Sequence, residues 1–141
     1  MAIRKENTSA AWHREEQVIN QNPDLIVGHL SCLFDARVVD EQEGAVLQHV
    51  FDQAEIRLVT FLGYVAARNP RTRFIVYSRG RFEGDAESKW VAEQEARLPV
   101  LRGRLHAFHV PGGPASATFR DPETARLLRA RVVQVLGLQT Q

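Results

Sequence analysis

Asn69-Pro70-Arg71-Thr72-Arg73-Phe74-Ile75-Val76-Tyr77-Ser78 holds a helix stop followed at once by a strand. Proline disfavours the α conformation in the residue before it, so the pattern upstream ends at Asn69. Arg73 to Ser78 is dense in β-branched and aromatic residues, which suit a strand. Upstream, Val46, Leu47, Val50, Phe51, Ala54, Leu58, Phe61, Leu62 and Val65 recur at helical spacing, predicting a helix from Gly44 to Asn69. Before it, Asp24-Leu25-Ile26-Val27-Gly28-His29-Leu30 reads as a short strand. Its lack of polar alternation predicts burial on both faces, the habit of a central parallel strand. Thr8 or Ser9 can cap a helix over residues 10–21, which Asn22-Pro23 stops, with Val18 and Ile19 inward.

Downstream, Asp85 to Leu98 predicts a helix with Trp90, Val91 and Ala86 inward, and Arg104 to Val110 a third strand. Asp121-Pro122-Glu123 opens the last helix with a capping acid, proline in the first turn and an acid on the positive dipole end. That helix carries Leu127, Leu128, Val132, Val135 and Leu136 inward and ends near Gly137. Strands separated by helices run parallel with right-handed crossovers. The expected fold is therefore a single α/β domain over residues 1–141, a three-layer α/β/α arrangement around a small parallel sheet. Three strands make a small sheet, so a further edge strand could come from Ala2 to Lys5 or from a second chain. Residues 1–9 are read as that edge strand or a flexible arm.

A hydrophobic fraction of 44% with 25% charged residues places the chain among globular proteins rather than disordered ones. Lys and Arg total 18 against 17 for Asp and Glu, and the arginines are interspersed with acids. Nucleic-acid binders gather a basic excess into a patch, so nucleic acid is disfavoured. Cys32 is the only cysteine, which excludes an internal disulfide and fits a reducing compartment. The polar N-terminus lacks a signal-peptide stretch, and no apolar run approaches the roughly 20 residues of a membrane span. A cytoplasmic protein with no membrane association and no implied cofactor is expected.

Asn22-Pro23-Asp24-Leu25-Ile26-Val27-Gly28-His29 resembles the third strand of a response-regulator receiver domain, a flavodoxin-like fold, where that strand ends at the phosphorylated aspartate. Phe74-Ile75-Val76-Tyr77-Ser78 resembles the next strand, which ends in a small hydroxyl residue, and Pro111 matches the receiver's Lys-Pro step. The resemblance spans roughly residues 10–136 and lacks a recognisable first strand. His29 stands where the acceptor aspartate would be, and Val110 where the lysine would be. Without clustered carboxylates there is little to hold Mg²⁺. The resemblance therefore implies a degenerate receiver that binds rather than transfers phosphate.

In open parallel sheets ligands sit beyond the carboxyl ends of the strands. That rule selects His29, Ser31 and Cys32, then Ser78, Arg79 and Arg81, then His109. His29 with Cys32 suggests a thiol–imidazole pair, and Ser31 or Ser78 with His29 or His109 a hydrolase pair. The plain alternative is that a cysteine fills space and a histidine is half-buried. An SGNH-like hydrolase has a similar layout, but its Gly-Asp-Ser block and terminal Asp-x-x-His are missing. Arg79 and Arg81 flank Gly80 and could meet an anion, although such arginines are commonly only solvated. His106 and His109, three apart on a strand, point to opposite faces, so no metal set is expected. Ile56, Val59 and Tyr64 widen the apolar stripe of the long helix, which either core packing or a second copy could cover.

The leading expectation is a non-catalytic receiver-like domain acting in signalling or assembly, as a dimer or on a protein partner. The alternative is a small hydrolase or transferase using His29 with Ser31, Cys32 or Ser78.

Overall fold

The computed structural model describes residues 16–30, 32, 45–78, 81–111 and 121–137. A helical stretch α1 over residues 16–21 leads into β1 (Leu25–His29). There follow α2 (Ala45–Arg68), β2 (Arg73–Ser78), α3 (Ala86–Arg97), a 3₁₀ turn (Pro99–Leu101), β3 (Leu105–His109) and α4 (Pro122–Leu136). The strands form one parallel sheet in the order β1-β2-β3, with Ile26 opposite Phe74 and Phe74 opposite Leu105. The expected strand–helix alternation and parallel sheet are both present. Residues 1–9, with the expected edge strand or arm, lie outside the described residues.

Side-chain alternation gives the sheet two differently dressed faces. One carries Ile26, Phe74, Val76, Leu105 and Ala107, and meets Ile19 of α1, Leu58, Leu62 and Val65 of α2, and Trp90 of α3. The other carries Leu25, Ile75, Tyr77 and Phe108 under Leu127, Leu128, Val132 and Val135 of α4. The result is a three-layer α/β/α arrangement compatible with a flavodoxin-like fold. Phe74, Ile75 and Val76 are essentially inaccessible, and burial of each side chain contributes about 2 kcal/mol.

β1 departs from expectation. It lies at the edge rather than the centre of the sheet, and Val27 is 40% exposed. An apolar run reports what a strand can bury, not whether a neighbour lies on both sides. The long helix is also only partly covered. Leu58, Val59, Leu62 and Val65 are buried, whereas Ile56 and Phe51 stay 42% and 37% exposed. At about 1.5 Å per residue, α2 is roughly twice as long as the strands it crosses, so its first turns project past the carboxyl edge.

The element ends follow local chemistry. Asn22 takes φ 46° after α1, a left-handed conformation that asparagine tolerates, and its N–H donates to Ile19 O at 3.0 Å. Asp121 caps α4 by accepting from Thr124 N at 3.0 Å and Thr124 Oγ1 at 2.9 Å, and Gly137 closes it at φ 68°. Arg104 reaches the end of α2: its guanidinium donates to the carbonyls of Ala66, Asn69, Thr72 and Val100. Carbonyls in the last turn of a helix lack intrahelical donors, and Arg104 supplies one to Ala66. Among the described residues no helix is long and apolar enough to cross a membrane. In α2 the residues Asp52, Glu55, Arg57 and Arg68 break the apolar run.

Candidate functional site

The strand register decides which carboxyl-edge residues can meet. His29 lies opposite Tyr77, so both belong to the face beneath α4, where their rings meet edge-on with centroids 5.2 Å apart. Ser78 lies opposite His109, and both belong to the other face. The sheet therefore stands between His29 and Ser78. No hydrogen bond joins Ser78 to His109 among the described residues. Ser78 is buried, the His109 Nδ1 atom is buried without a hydrogen-bond partner, and the His109 backbone N–H donates to Glu87 Oε2 at 2.7 Å. Ser31 and Arg79 lie outside the described residues.

Cys32 follows β1, with its N–H donating to His29 O at 3.0 Å. Desolvation pushes its thiol pKa up, with a smaller opposing effect from a backbone hydrogen bond. A reactive cysteine needs the opposite shift, because the thiolate is the nucleophile. Tyr77 is pushed up as well, by desolvation first and by Cys32 second. Arg81 already has an acid: its Nε lies 3.4 Å from Glu55 Oε1 on α2. No group of three or more His, Cys, Asp and Glu side chains able to hold a metal forms among the described residues.

The two sheet edges are treated differently. In β3 the groups of Arg104, His106, Phe108 and Val110 turn toward β2, shown by Phe74 N to Arg104 O at 2.9 Å and Val110 N to Ser78 O at 3.0 Å. Leu105, Ala107 and His109 consequently turn outward. Two side chains meet that outer edge. Arg131 Nη1 donates to Ala107 O at 2.8 Å, and Glu87 accepts from His109 N. Arg131 and Glu87 approach each other at 4.0 Å, and the Arg131 guanidinium also lies over the Phe108 ring.

β1 has no such cover among the described residues. Arg73 N to Asp24 O and Leu30 N to Tyr77 O, at 3.0 and 2.9 Å, fix the even-numbered groups toward β2. The backbone groups of Leu25, Val27 and His29 turn outward. The strand Leu-Ile-Val-Gly-His contains no proline, lysine or acid, the residues that usually blunt an edge.

The concave surface lies at the opposite end from the sequence candidates. Two adjoining hollows of about 490 and 400 Å³ open at the amino ends of the strands beside the end of α4. They share Arg73 and Gly103. The first adds Asp24, Arg71 and Arg104, and the second His106, Arg131 and Gln134. Burial first, then the charges of Arg131 and Arg73, hold the His106 pKa below the usual histidine value, against a smaller upward pull from Glu95. These arginines stand far apart in sequence, so their convergence carried no local signal. The same is true of Glu87 and Arg131 on the β3 edge. Comparison with family models, curated proteins and solved structures gives no match to this chain.

Proposed function

We propose that this chain is a receiver-like, non-catalytic domain of the cytoplasm, acting in signalling or assembly through protein binding at the open edge of β1. The observation that carries this reading is the contrast between the edges. Side chains occupy the outward groups of β3, while Leu25, Val27 and His29 present theirs beside an exposed valine. An unblunted edge is a template for another strand. The occupant proposed is an extended segment of a partner protein, alternating apolar side chains so that one set covers Val27. Such strand addition draws affinity from main-chain hydrogen bonds and specificity from alternate side chains. The separation of His29 from Ser78 by the sheet, and the raised thiol pKa of Cys32, favour binding over catalysis.

Linear peptides selected by display against the intact chain test this. Enriched peptides should alternate β-branched or aromatic residues with polar ones and lose binding to Val27→Lys, whose charge blunts the edge. Peptides that bind Val27→Lys as well as the wild type would overturn the reading. Sedimentation of both proteins separates the other occupant: a dimer abolished by Val27→Lys would replace the peptide partner with a second copy.

A further inference from the structure

We propose that the hollows at the amino edge of the sheet form a binding site for a small phosphate-bearing anion, gripped by Arg71, Arg73 and Arg131. This goes beyond protein docking at β1 and rests on different residues.

Geometry provides the first support. Two concavities share a wall at Arg73 and Gly103, and together they fall in the range that accommodates small ligands. Their lining carries four arginines and a histidine against one acid, Asp24, with Glu95 acting on His106 from nearby. Glu95 is itself engaged, accepting from Gly103 N at 2.7 Å.

The guanidinium groups are also held in place without being used up. Arg73 Nη1 donates to Val135 O at 3.2 Å, and Arg131 Nη1 to Ala107 O at 2.8 Å. Each guanidinium has five N–H donors, so one carbonyl leaves most of them for a ligand. Pinning a long side chain before binding removes much of the entropy lost when it closes on an anion. Arg71 is exposed and makes no hydrogen bond or ion pair among the described residues, which leaves it able to close over the ligand. Arg104 is different: four carbonyls occupy it, so it contributes charge and shape rather than donors.

Electrostatics agrees with this. Arg131 and Arg73 disfavour a proton on His106, which marks a positive local potential. A bound anion would reverse that influence, so His106 becomes a reporter of occupancy. Planar, forked donors match phosphate oxygens better than a single ammonium would. A phosphate-bearing ligand satisfies several forks at once, which a monocarboxylate cannot do.

The test is titration of the intact chain with inorganic pyrophosphate at about 0.15 M salt, where surface attraction is largely screened. Binding is read by calorimetry and by the His106 ring signals in NMR, whose titration midpoint should move up on saturation. Arg71→Ala should weaken binding about tenfold, as expected for one lost charge-assisted contact. Arg126→Ala removes the same charge from an exposed pair with Glu123 away from the hollows and should leave affinity unchanged. ADP and adenosine separate the sources: tighter binding of ADP than of pyrophosphate assigns a nucleotide, and equal binding assigns the phosphates alone. No pyrophosphate binding, an unmoved His106, or equal loss in Arg71→Ala and Arg126→Ala would overturn the proposal. A long single-stranded DNA that outcompetes pyrophosphate without moving His106 would do so too.

Discussion

Replacing Arg104 with methionine should cost about 3 kcal/mol of stability. The side chain donates to four carbonyls, at Ala66, Asn69, Thr72 and Val100. Ala66, Asn69 and Thr72 are buried, while Val100 is 39% exposed and its carbonyl can turn to water. Each of the three buried residues loses a bond with a typical net value of about 1 kcal/mol, larger where a carbonyl is left dry. The cation over the Phe74 ring, 5.7 Å from its centroid, adds roughly 0.5 kcal/mol. Against this, methionine removes a guanidinium whose pKa desolvation already lowers, so part of the loss is returned. The assay is urea unfolding followed by circular dichroism. For a slope of about 2 kcal/mol per molar, the midpoint should fall by roughly 1.5 M. Arg104→Lys should recover only part, because an ammonium lacks the fork that spans several carbonyls. A loss below about 1 kcal/mol for Arg104→Met would refute the claim that this side chain ties the end of α2 to the strand ends.

Asp121→Ala should destabilise by about 1–2 kcal/mol in the same assay, because it strips the cap of α4 and leaves the buried Thr124 hydroxyl without its acceptor. The depressed His106 pKa has a definite sign. The unfolded imidazole takes up a proton more readily than the folded one, so its stabilising contribution is complete above the unfolded pKa of about 6.5. It is lost as the pH falls toward the folded pKa, and His106→Gln should flatten that part of an unfolding profile. The pair Glu87→Ala and Arg131→Ala strips both side chains from the β3 edge, and light scattering should then show concentration-dependent association absent from the wild type. His29→Ala should leave turnover on ester, phosphoester and glycoside panels at background. Any activity that this change removes would revive the hydrolase or transferase reading.

The fold was readable wherever one residue type forces one backbone outcome. Proline after Asn22 and Asn69 ends helices, Asp121-Pro122 starts one, and the apolar run from Phe74 to Val76 can only be satisfied by cover on both faces. Val27 shows where that reasoning stops. Its neighbours are as apolar as those in β2, yet its exposure depends on a strand beyond β1 that no local pattern reveals. Site legibility failed for a related reason. Choosing residues at the carboxyl edge ignored the period of two along a strand, and register alone places His29 and Ser78 on opposite faces. The arginines of the amino-edge hollow come from a loop, two strand ends and a helix, so only the tertiary fold gathers them.

The cover on β3 also sets a stoichiometry. A sheet with two bare edges can accept a strand on each side and grow into a chain of subunits. Here Arg131 and Glu87 occupy the far side, so growth is one-sided. Whatever docks on β1 is the last strand on that flank, unless it brings a bare edge of its own. Two copies meeting through β1 would bury both bare edges and stop, giving a closed pair rather than a fibre.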